Sequence, residues 1–290
     1  MIGRWSSSRS QLEWHKFRED KPSSWVFSLF PPYYAALFEE QEPSLMAKSN
    51  TGWRDSKSGK TKFAFFKGLT PAEIERIKRF IRDYERLVIL GLNKNIEQGF
   101  TDELDSCIAL DYNFESRKYA TRTEIGEFVY RAKYKGSKGA VQKIVQHLES
   151  VIKRIPGQKG GLQSCMSYIP PEPDKSYDLP RELAKLLVMK LEGTQLLRKE
   201  LPLVRPVLEV NKPIFKELMV GRKITAWEKI LSEGRIRLSG SIEGCAVYVL
   251  DDLYQSGTTM WSYAKYLKSC GASAVFGLAC VKTLRDTDNR

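Results

Sequence analysis

The chain has 290 residues, of which 42% are hydrophobic and 11% aromatic, so it is long and apolar enough for about two packed domains. No run of about 18 apolar residues could span a bilayer, and the first residues lack the apolar centre of a signal peptide. These features exclude a membrane-embedded protein and predict a cytoplasmic one. The net charge of +12 favours a polyanionic partner, either a nucleic acid or a phosphorylated small molecule.

The cysteines and histidines do not form the pattern of a metal site. There are five scattered cysteines, no C-x-x-C pair and two histidines, His15 and His147. We therefore expect no structural zinc, and we expect Cys165, Cys245 and Cys280, each in an apolar run, to be buried thiols in a reducing compartment.

Residues 1–160 are predicted to form a mainly helical, basic domain, since they carry 28 basic and 20 acidic residues. Residues 70–73 combine a Thr cap, a Pro at the first helical position and a Glu that closes a capping box, so a helix should begin there. A second helix is predicted over 137–152, with its apolar residues on one face. The aromatic segment 25–38 is expected to form core, with base stacking or a homodimer contact as alternatives.

A basic cluster lies around the start of the second helix. It is a candidate for tracking the phosphate backbone of DNA or RNA, while the alternative is the solvated face of amphipathic helices. Its nucleic-acid candidates are Arg131, Lys133, Lys135 and Lys138. After it, residues 154–161 combine one Pro with three Gly, which predicts a linker and a domain boundary between 1–160 and 161–290.

After residue 161 the pattern changes to apolar runs that alternate with helical segments. Strands are predicted over 163–169 and 275–282, and helices over 179–191 and 258–270. Such alternation is typical of a parallel sheet flanked by helices, so the fold class of this half is predicted to be α/β.

One run of this half carries chemistry. An apolar strand over 246–250 is followed by Asp251 and Asp252, and then by a turn that opens a helix. A glycine-containing turn at a helix N-terminus directs free backbone N–H groups and the positive end of the helix dipole at one point, where a phosphate binds well. The two carboxylates could accept hydrogen bonds from the hydroxyls of a sugar. The turn consists of Gln255, Ser256, Gly257, Thr258 and Thr259.

This run resembles the signature of type I phosphoribosyltransferases, in which an apolar strand, an acidic pair and a Ser/Thr-Gly-x-Thr loop bind 5-phosphoribosyl 1-diphosphate (PRPP). The resemblance covers roughly residues 162–290 and is greatest to the ComF-like branch. Residues 166–171 are similar to the first strand of the family and the start of its diphosphate loop. The resemblance implies that Asp251 and Asp252 hold the ribose, that the loop holds the 5-phosphate, and that Mg²⁺ accompanies PRPP. It also implies basic residues for the diphosphate, and the candidates are Lys212, Lys216 and Arg222.

Two classes of function remain open from the sequence. The first is transfer of the phosphoribosyl group to a base or another nucleophile. The second is a regulator that binds PRPP or a nucleotide without catalysis and engages nucleic acid through its basic N-terminal part. A related alternative is an effector of a bacterial defence system of the retron type. Fold alone does not choose between them.

Overall fold

The computed structural model describes residues 14–30, 33–59, 61–90, 103–116, 120–152, 163–191, 202–210 and 220–284. The predicted linker at 154–161 lies outside the described residues. Contacts divide the chain into two compact units, 1–91 and 92–290, so the division falls well before the predicted boundary at 160.

The first unit contains an antiparallel sheet as well as helices, so the prediction of a mainly helical domain over residues 1–160 is not confirmed. The strands lie in the order β1-β2-β4-β3, and each neighbouring pair is antiparallel. Its elements are β1 (Trp14–Lys21), β2 (Ser24–Phe30), α1 (Tyr33–Gln41), α2 (Pro43–Met46), β3 (Arg54–Asp55), β4 (Lys62–Lys67), α3 (Pro71–Tyr84) and β5 (Val88–Ile89).

Aromatic side chains form the core of this unit. Phe27 and Phe38 are fully buried and pack edge to face with ring centroids 5.0 Å apart, and Phe80 packs against Phe38 at the same distance. Helix α3 begins at the predicted capping box, in which Thr70 and Glu73 each bond the backbone N–H of the other. The segment 25–38 therefore forms strand β2 and most of helix α1, and the prediction that it contributes core is confirmed.

The second unit is built on a parallel sheet. Its parallel strands lie in the order β6-β11-β10-β7, and β8 and β9 form a separate antiparallel pair. Its elements are β6 (Ser106–Tyr112), α4 (Glu124–Lys135), α5 (Lys138–Ile152), β7 (Ser164–Tyr168), α6 (Leu179–Leu191), β8 (Pro206–Leu208), α7 (Val220–Ser232), β9 (Ile236–Leu238), β10 (Ala246–Tyr254), α8 (Thr258–Ser269) and β11 (Ala274–Lys282).

Strand β6 explains why the division of the chain differs from the predicted one. Ser106 pairs with Phe276, which lies near the other end of the chain, and α4 and α5 pack on β6 and β11. The strands predicted over 163–169 and 275–282 and the helices predicted over 179–191 and 258–270 are confirmed to within one residue at each end. The strand predicted over 246–250 continues to Tyr254, so Asp251 and Asp252 lie within it. Residues 106–152 nevertheless belong to the same unit. Strand β11 is buried along its whole length, and it pairs with β6 and packs against α4 and α5.

Within the described ranges, no helix is long and apolar enough to cross a membrane. The cysteines predicted to be buried are buried: Cys165 and Cys280 are 0% exposed, and Cys245 is 6% exposed.

Candidate functional site

The acidic pair lies at the carboxyl-terminal end of β10, the strand that β11 and β7 flank in the sheet. Asp251 is partly exposed and Asp252 is 8% exposed, and the Asp252 N–H donates to Asp251 Oδ1 at 2.8 Å. Ligands of open α/β sheets bind outside the carboxyl ends of the strands. The pair therefore stands at the edge of the sheet where a ligand is expected.

The turn after β10 has a backbone that only glycine accommodates. Gly257 has φ +82°, and a Cβ at this position would lie 2.2 Å from the hydroxyl oxygen of Tyr254. The hydroxyls of Ser256 and Thr258 lie 3.0 Å apart, and both side chains are buried. Because Gly257 is the N-cap of α8, no side chain caps the helix, and its first N–H groups and dipole are left for an anion.

Two buried side chains hold this turn in place. Lys282 is 1% exposed, and its ammonium donates to the carbonyl of Gln255 at 2.8 Å and to the carbonyl and hydroxyl of Thr283 at 3.1 and 3.2 Å. From α7, Trp227 Nε1 donates to Thr259 Oγ1 at 3.3 Å. The loop is therefore fixed from both ends, which lowers the entropy lost when it binds a ligand.

A cavity of about 110 Å³ lies at this turn. Of the seven residues predicted for PRPP, five line the cavity: Asp251, Gln255, Ser256, Gly257 and Thr259. The other two do not line it. Thr258 is 2% exposed and bonded to Ser256, and Asp252 forms an ion pair with α4, described below.

Lys223 is a cavity residue that the sequence analysis missed. It lines the cavity from α7, it is only 4% exposed, and within the described part of the chain its side chain forms no hydrogen bond or ion pair. Because the side chain lines the cavity and has no counter-ion among the described residues, its ammonium is available to an anion there. The signal in the sequence is helical spacing, because Lys223 shares the buried face of α7 with Val220 and Trp227.

The three predicted diphosphate residues have different placements. Arg222 precedes Lys223 on α7 but is exposed and does not line the cavity. Lys212 and Lys216 lie outside the described residues.

Lys133, a predicted nucleic-acid residue, instead forms an ion pair with the acidic pair. Its ammonium lies 2.5 Å from Asp252 Oδ2, and the side chains are 31% and 11% exposed. Burial lowers the pKa of Lys133, but the charge of Asp252 and its hydrogen bond together outweigh burial and raise this pKa above its ordinary value. Lys133 is therefore a firmly charged counter-ion. The other three residues, Arg131, Lys135 and Lys138, are exposed on α4 and α5.

The thiol next to the acidic pair has no role as a nucleophile. Cys280 on β11 is 0% exposed, and burial, together with the negative charges of Asp252 and Asp251, raises its pKa well above the ordinary value. The thiolate is disfavoured, so acid–base or nucleophilic work by Cys280 is excluded.

No protein-family model and no curated protein matches the chain. Several solved structures are similar to part of it, and three of them are described here. Two are crystal forms of a hypoxanthine phosphoribosyltransferase from Staphylococcus aureus, at 13% and 14% identity with TM-scores of 0.31 and 0.32; they cover 52% and 50% of this chain and 76% and 73% of theirs. The third is a hypoxanthine-guanine phosphoribosyltransferase from Bacillus anthracis, at 14% identity with a TM-score of 0.30, covering 52% of this chain and 80% of that one. Similarity at this level leaves the function to be argued from the chain's own residues, and membership of the ComF-like branch stays a prediction.

Proposed function

We propose that the cavity at the end of β10 binds the ribose 5-phosphate part of PRPP and that the protein transfers the phosphoribosyl group to a nucleophile. One observation carries the proposal: Asp251 of the acidic pair, an uncapped helix N-terminus and Lys223, which has no counter-ion within the described part of the chain, meet at one cavity. The acids suit sugar hydroxyls, while the helix end and the lysine suit a phosphate.

The 5-phosphate is assigned to the turn. The first N–H groups of α8 and the hydroxyls of Ser256 and Thr259 supply donors, and Lys223 supplies a full positive charge. Hydrogen bonds between charged groups are worth more than neutral ones, and they gain strength where water is excluded. A phosphate dianion would also give Lys223 a counter-ion, which it lacks among the described residues.

The ribose is assigned to the carboxylates. Asp251 lines the cavity, and an ionised carboxylate accepts about four hydrogen bonds, so Asp252 keeps acceptor capacity after it has bonded Lys133. In this arrangement Lys133 offsets one of two adjacent negative charges. The pair can then stay ionised beside a ligand that is itself anionic.

Magnesium fits this donor set only together with the ligand. Among the described residues there is no group of three or more side chains that could hold a metal alone. Mg²⁺ is commonly held by one or two carboxylates with substrate phosphates, and Asp251 and Asp252 are carboxylates of that kind. When bound, the ion would neutralise charge that develops on the departing diphosphate.

In the proposed transfer, the bond between C1 of the ribose and the diphosphate oxygen breaks, both electrons leave with the diphosphate, and a nucleophile forms the new bond to C1. The chain's own residues fix the ribose and the 5-phosphate so that C1 is presented in one orientation. The loop is already rigid, so orientation costs little when the ligand binds.

The first test is calorimetric titration of PRPP with Mg²⁺, and separately of ribose 5-phosphate, into the wild type and three variants. We expect D251N/D252N to abolish binding of both ligands, and K223Q to weaken both at least tenfold, the loss typical of a charged hydrogen bond. K229Q is the matched control, because Lys229 is an exposed lysine on the same helix, and it should bind like the wild type. A wild type that binds neither ligand would refute the assignment.

The second test separates transfer from binding. Release of diphosphate from PRPP is measured with purine bases, pyrimidine bases and ammonia as acceptors, in the wild type and in D251N/D252N. Release that depends on one acceptor and disappears in the variant supports the transferase. Binding without release from any acceptor supports a ligand-sensing protein instead.

A second candidate function is nucleic-acid binding by the exposed residues of α4 and α5. Arg131, Lys135 and Lys138 are exposed, and Tyr134, 67% exposed, packs on Tyr130 with ring centroids 5.4 Å apart. Exposed cations beside the exposed ring of Tyr134 suit a phosphate backbone and a stacked base. Binding of single-stranded DNA or RNA that weakens with salt and is lost in the triple variant R131Q/K135Q/K138Q would support this function and, with it, the regulator or defence-effector alternative.

A further inference from the structure

The sheet of the first unit has two faces, and helix α1 packs on one of them. Phe27, on strand β2, is fully buried against Phe38 of helix α1. Side chains alternate along a strand, so Val26 and Ser28 lie on the opposite face. We call this opposite face the outer face of the sheet. Nothing in the proposed phosphoribosyl transfer uses it.

Two phenylalanines of strand β4 form the apolar centre of the outer face. Phe63 lies opposite Ser28, and Phe65 lies opposite Val26, in the strand register. Their rings pack edge to face with centroids 5.7 Å apart, and both rings are only partly buried. The solvent face of an antiparallel sheet ordinarily carries polar residues. Two adjacent aromatic rings at this position therefore indicate an interaction surface.

Basic residues surround the two rings. Lys16 of β1 and Arg54 of β3 end the row across the sheet that contains Phe63. Three strand spacings separate these two cations, a distance of about 14 Å. Lys67 follows Phe65 by two residues on β4 and therefore lies on the same face. The rings thus have cations on three sides.

The protein itself compensates these charges weakly. In the described part of the chain, the side chains of Lys16, Arg54 and Lys67 form no ion pair or hydrogen bond. A fourth cation of this face, Arg18, has Asp20 at 3.6 Å, but both side chains are more than 40% exposed and exposed pairs contribute little. Four cations and one acid leave an excess of three positive charges around the rings, which favours a polyanionic partner.

Cations around aromatic rings match single-stranded nucleic acid better than other polyanions. Unpaired bases stack on aromatic side chains while their phosphates pair with the surrounding Lys and Arg. A duplex keeps its bases inside the stack, so it would use the cations and leave the rings without a partner. A membrane surface requires apolar side chains that project beyond the charged ones, whereas these rings lie partly buried between the cations. The surface of a four-stranded sheet has room for two or three stacked bases.

We propose that the outer face of the first unit binds single-stranded nucleic acid. Phe63 and Phe65 stack neighbouring bases, and Lys16, Arg54 and Lys67 pair with the phosphates around them. This surface belongs to the first unit, whereas the proposed phosphoribosyl site and the basic residues of α4 and α5 belong to the second. It therefore holds or fails independently of both.

The test is fluorescence anisotropy of labelled single strands of about 10 nucleotides, as DNA and as RNA, titrated with the full chain. The variant F63L/F65L keeps apolar side chains on the face but removes both rings. We expect it to bind at least tenfold more weakly than the wild type, because base stacking on an aromatic ring contributes strongly to such affinities. The dependence on salt should stay unchanged, since no charge is lost.

A charge variant, K16Q/R54Q/K67Q, gives a second and different signature. It should weaken binding and also lower the slope of log K against log salt concentration by about 2, because each phosphate contact of a single strand contributes about 0.7 to that slope. These three residues lie on the surface, so the proposal remains testable even if loss of the rings prevents folding. Circular dichroism and the thermal midpoint check that each variant is folded.

A matched control removes the same number of charges elsewhere in the first unit. Lys78, Arg79 and Arg82 are exposed on helix α3, and K78Q/R79Q/R82Q should bind like the wild type. The triple variant of α4 and α5 described above should also leave this binding unchanged. A duplex of the same length should bind at least tenfold more weakly than the single strand.

Four results would overturn the proposal. The first is that neither single strand binds the wild type at low salt, and the second is that a duplex binds as tightly as the single strand. The third is binding that F63L/F65L and K16Q/R54Q/K67Q leave unchanged, which would place the nucleic acid elsewhere on the chain. The fourth is binding of phosphatidylserine vesicles without binding of single strands, which would assign the face to a membrane. Failure of PRPP to bind would refute the proposed function and leave this surface untouched.

Discussion

Replacing Lys133 by Met should destabilise the second unit, because it leaves the Asp252 carboxylate without its counter-ion. Breaking a fully buried pair costs about 3–5 kcal/mol, and an exposed pair is worth about 0.2–1 kcal/mol. With side chains 31% and 11% exposed, this pair lies between the two limits, and we expect a loss of about 2 kcal/mol. Urea unfolding, followed by circular dichroism, measures the free energy of unfolding directly.

A double-mutant cycle tests whether the loss comes from this pair. We expect K133M/D252N to recover most of the stability that K133M loses, because both charges are then gone. The sign of the pH dependence is also fixed. The folded state raises the pKa of Lys133 above its ordinary value of 10.5. The contribution of the ion pair to the free energy of unfolding is therefore complete below pH 10.5 and is lost as the pH rises through the raised pKa. A coupling energy below about 0.5 kcal/mol would refute the reasoning.

Three further predictions concern other parts of the chain. G257A should lower the free energy of unfolding, measured in urea, by about 1–3 kcal/mol and abolish ribose 5-phosphate binding, because alanine disfavours φ +82° and its Cβ would meet Tyr254. Unchanged binding would contradict this account of the turn. T70A should cost about 1 kcal/mol through loss of the capping box, and a change below about 0.3 kcal/mol would show that the cap is dispensable. In the folded protein only the Cys270 thiol should react rapidly with Ellman's reagent, and all five thiols should react after unfolding. The other four thiols are buried, and burial raises the pKa of Cys165 to about 12. Rapid reaction of two or more thiols in the folded protein would contradict the buried placement.

The local elements of the second unit were predictable because each had a strong local signal. Helix α6 coincides with the predicted 179–191, and α8 and β11 differ only slightly at one end from their predictions. The acidic pair and the glycine turn were also found from the sequence, because strand, carboxylates, glycine and helix follow one another directly along the chain. Such signals depend on neighbours in the chain and not on the rest of the fold.

The remaining features depend on partners that are distant in sequence. Strand β6 is a short apolar run, and its place in the sheet is decided by β11, near the other end of the chain. The sequence alone does not distinguish Lys223 from Arg222, because the helical phase of α7 decides which of the two is buried. The antiparallel sheet of the first unit was missed because its aromatic residues also suit a helix, and α1 does continue from the same segment.

The pairing of β6 with β11 has a consequence for synthesis of the protein. Strand β6 leaves the ribosome well before β10 and β11 have been synthesised. Its apolar edge and the apolar faces of α4 and α5 therefore stay uncovered until almost the whole second unit has been made. Long-range pairing of this kind slows folding, whereas the first unit can close through pairs near in sequence. During translation the first unit should therefore resist protease early. The second unit, and every ligand site in it, should become protected in a single late step.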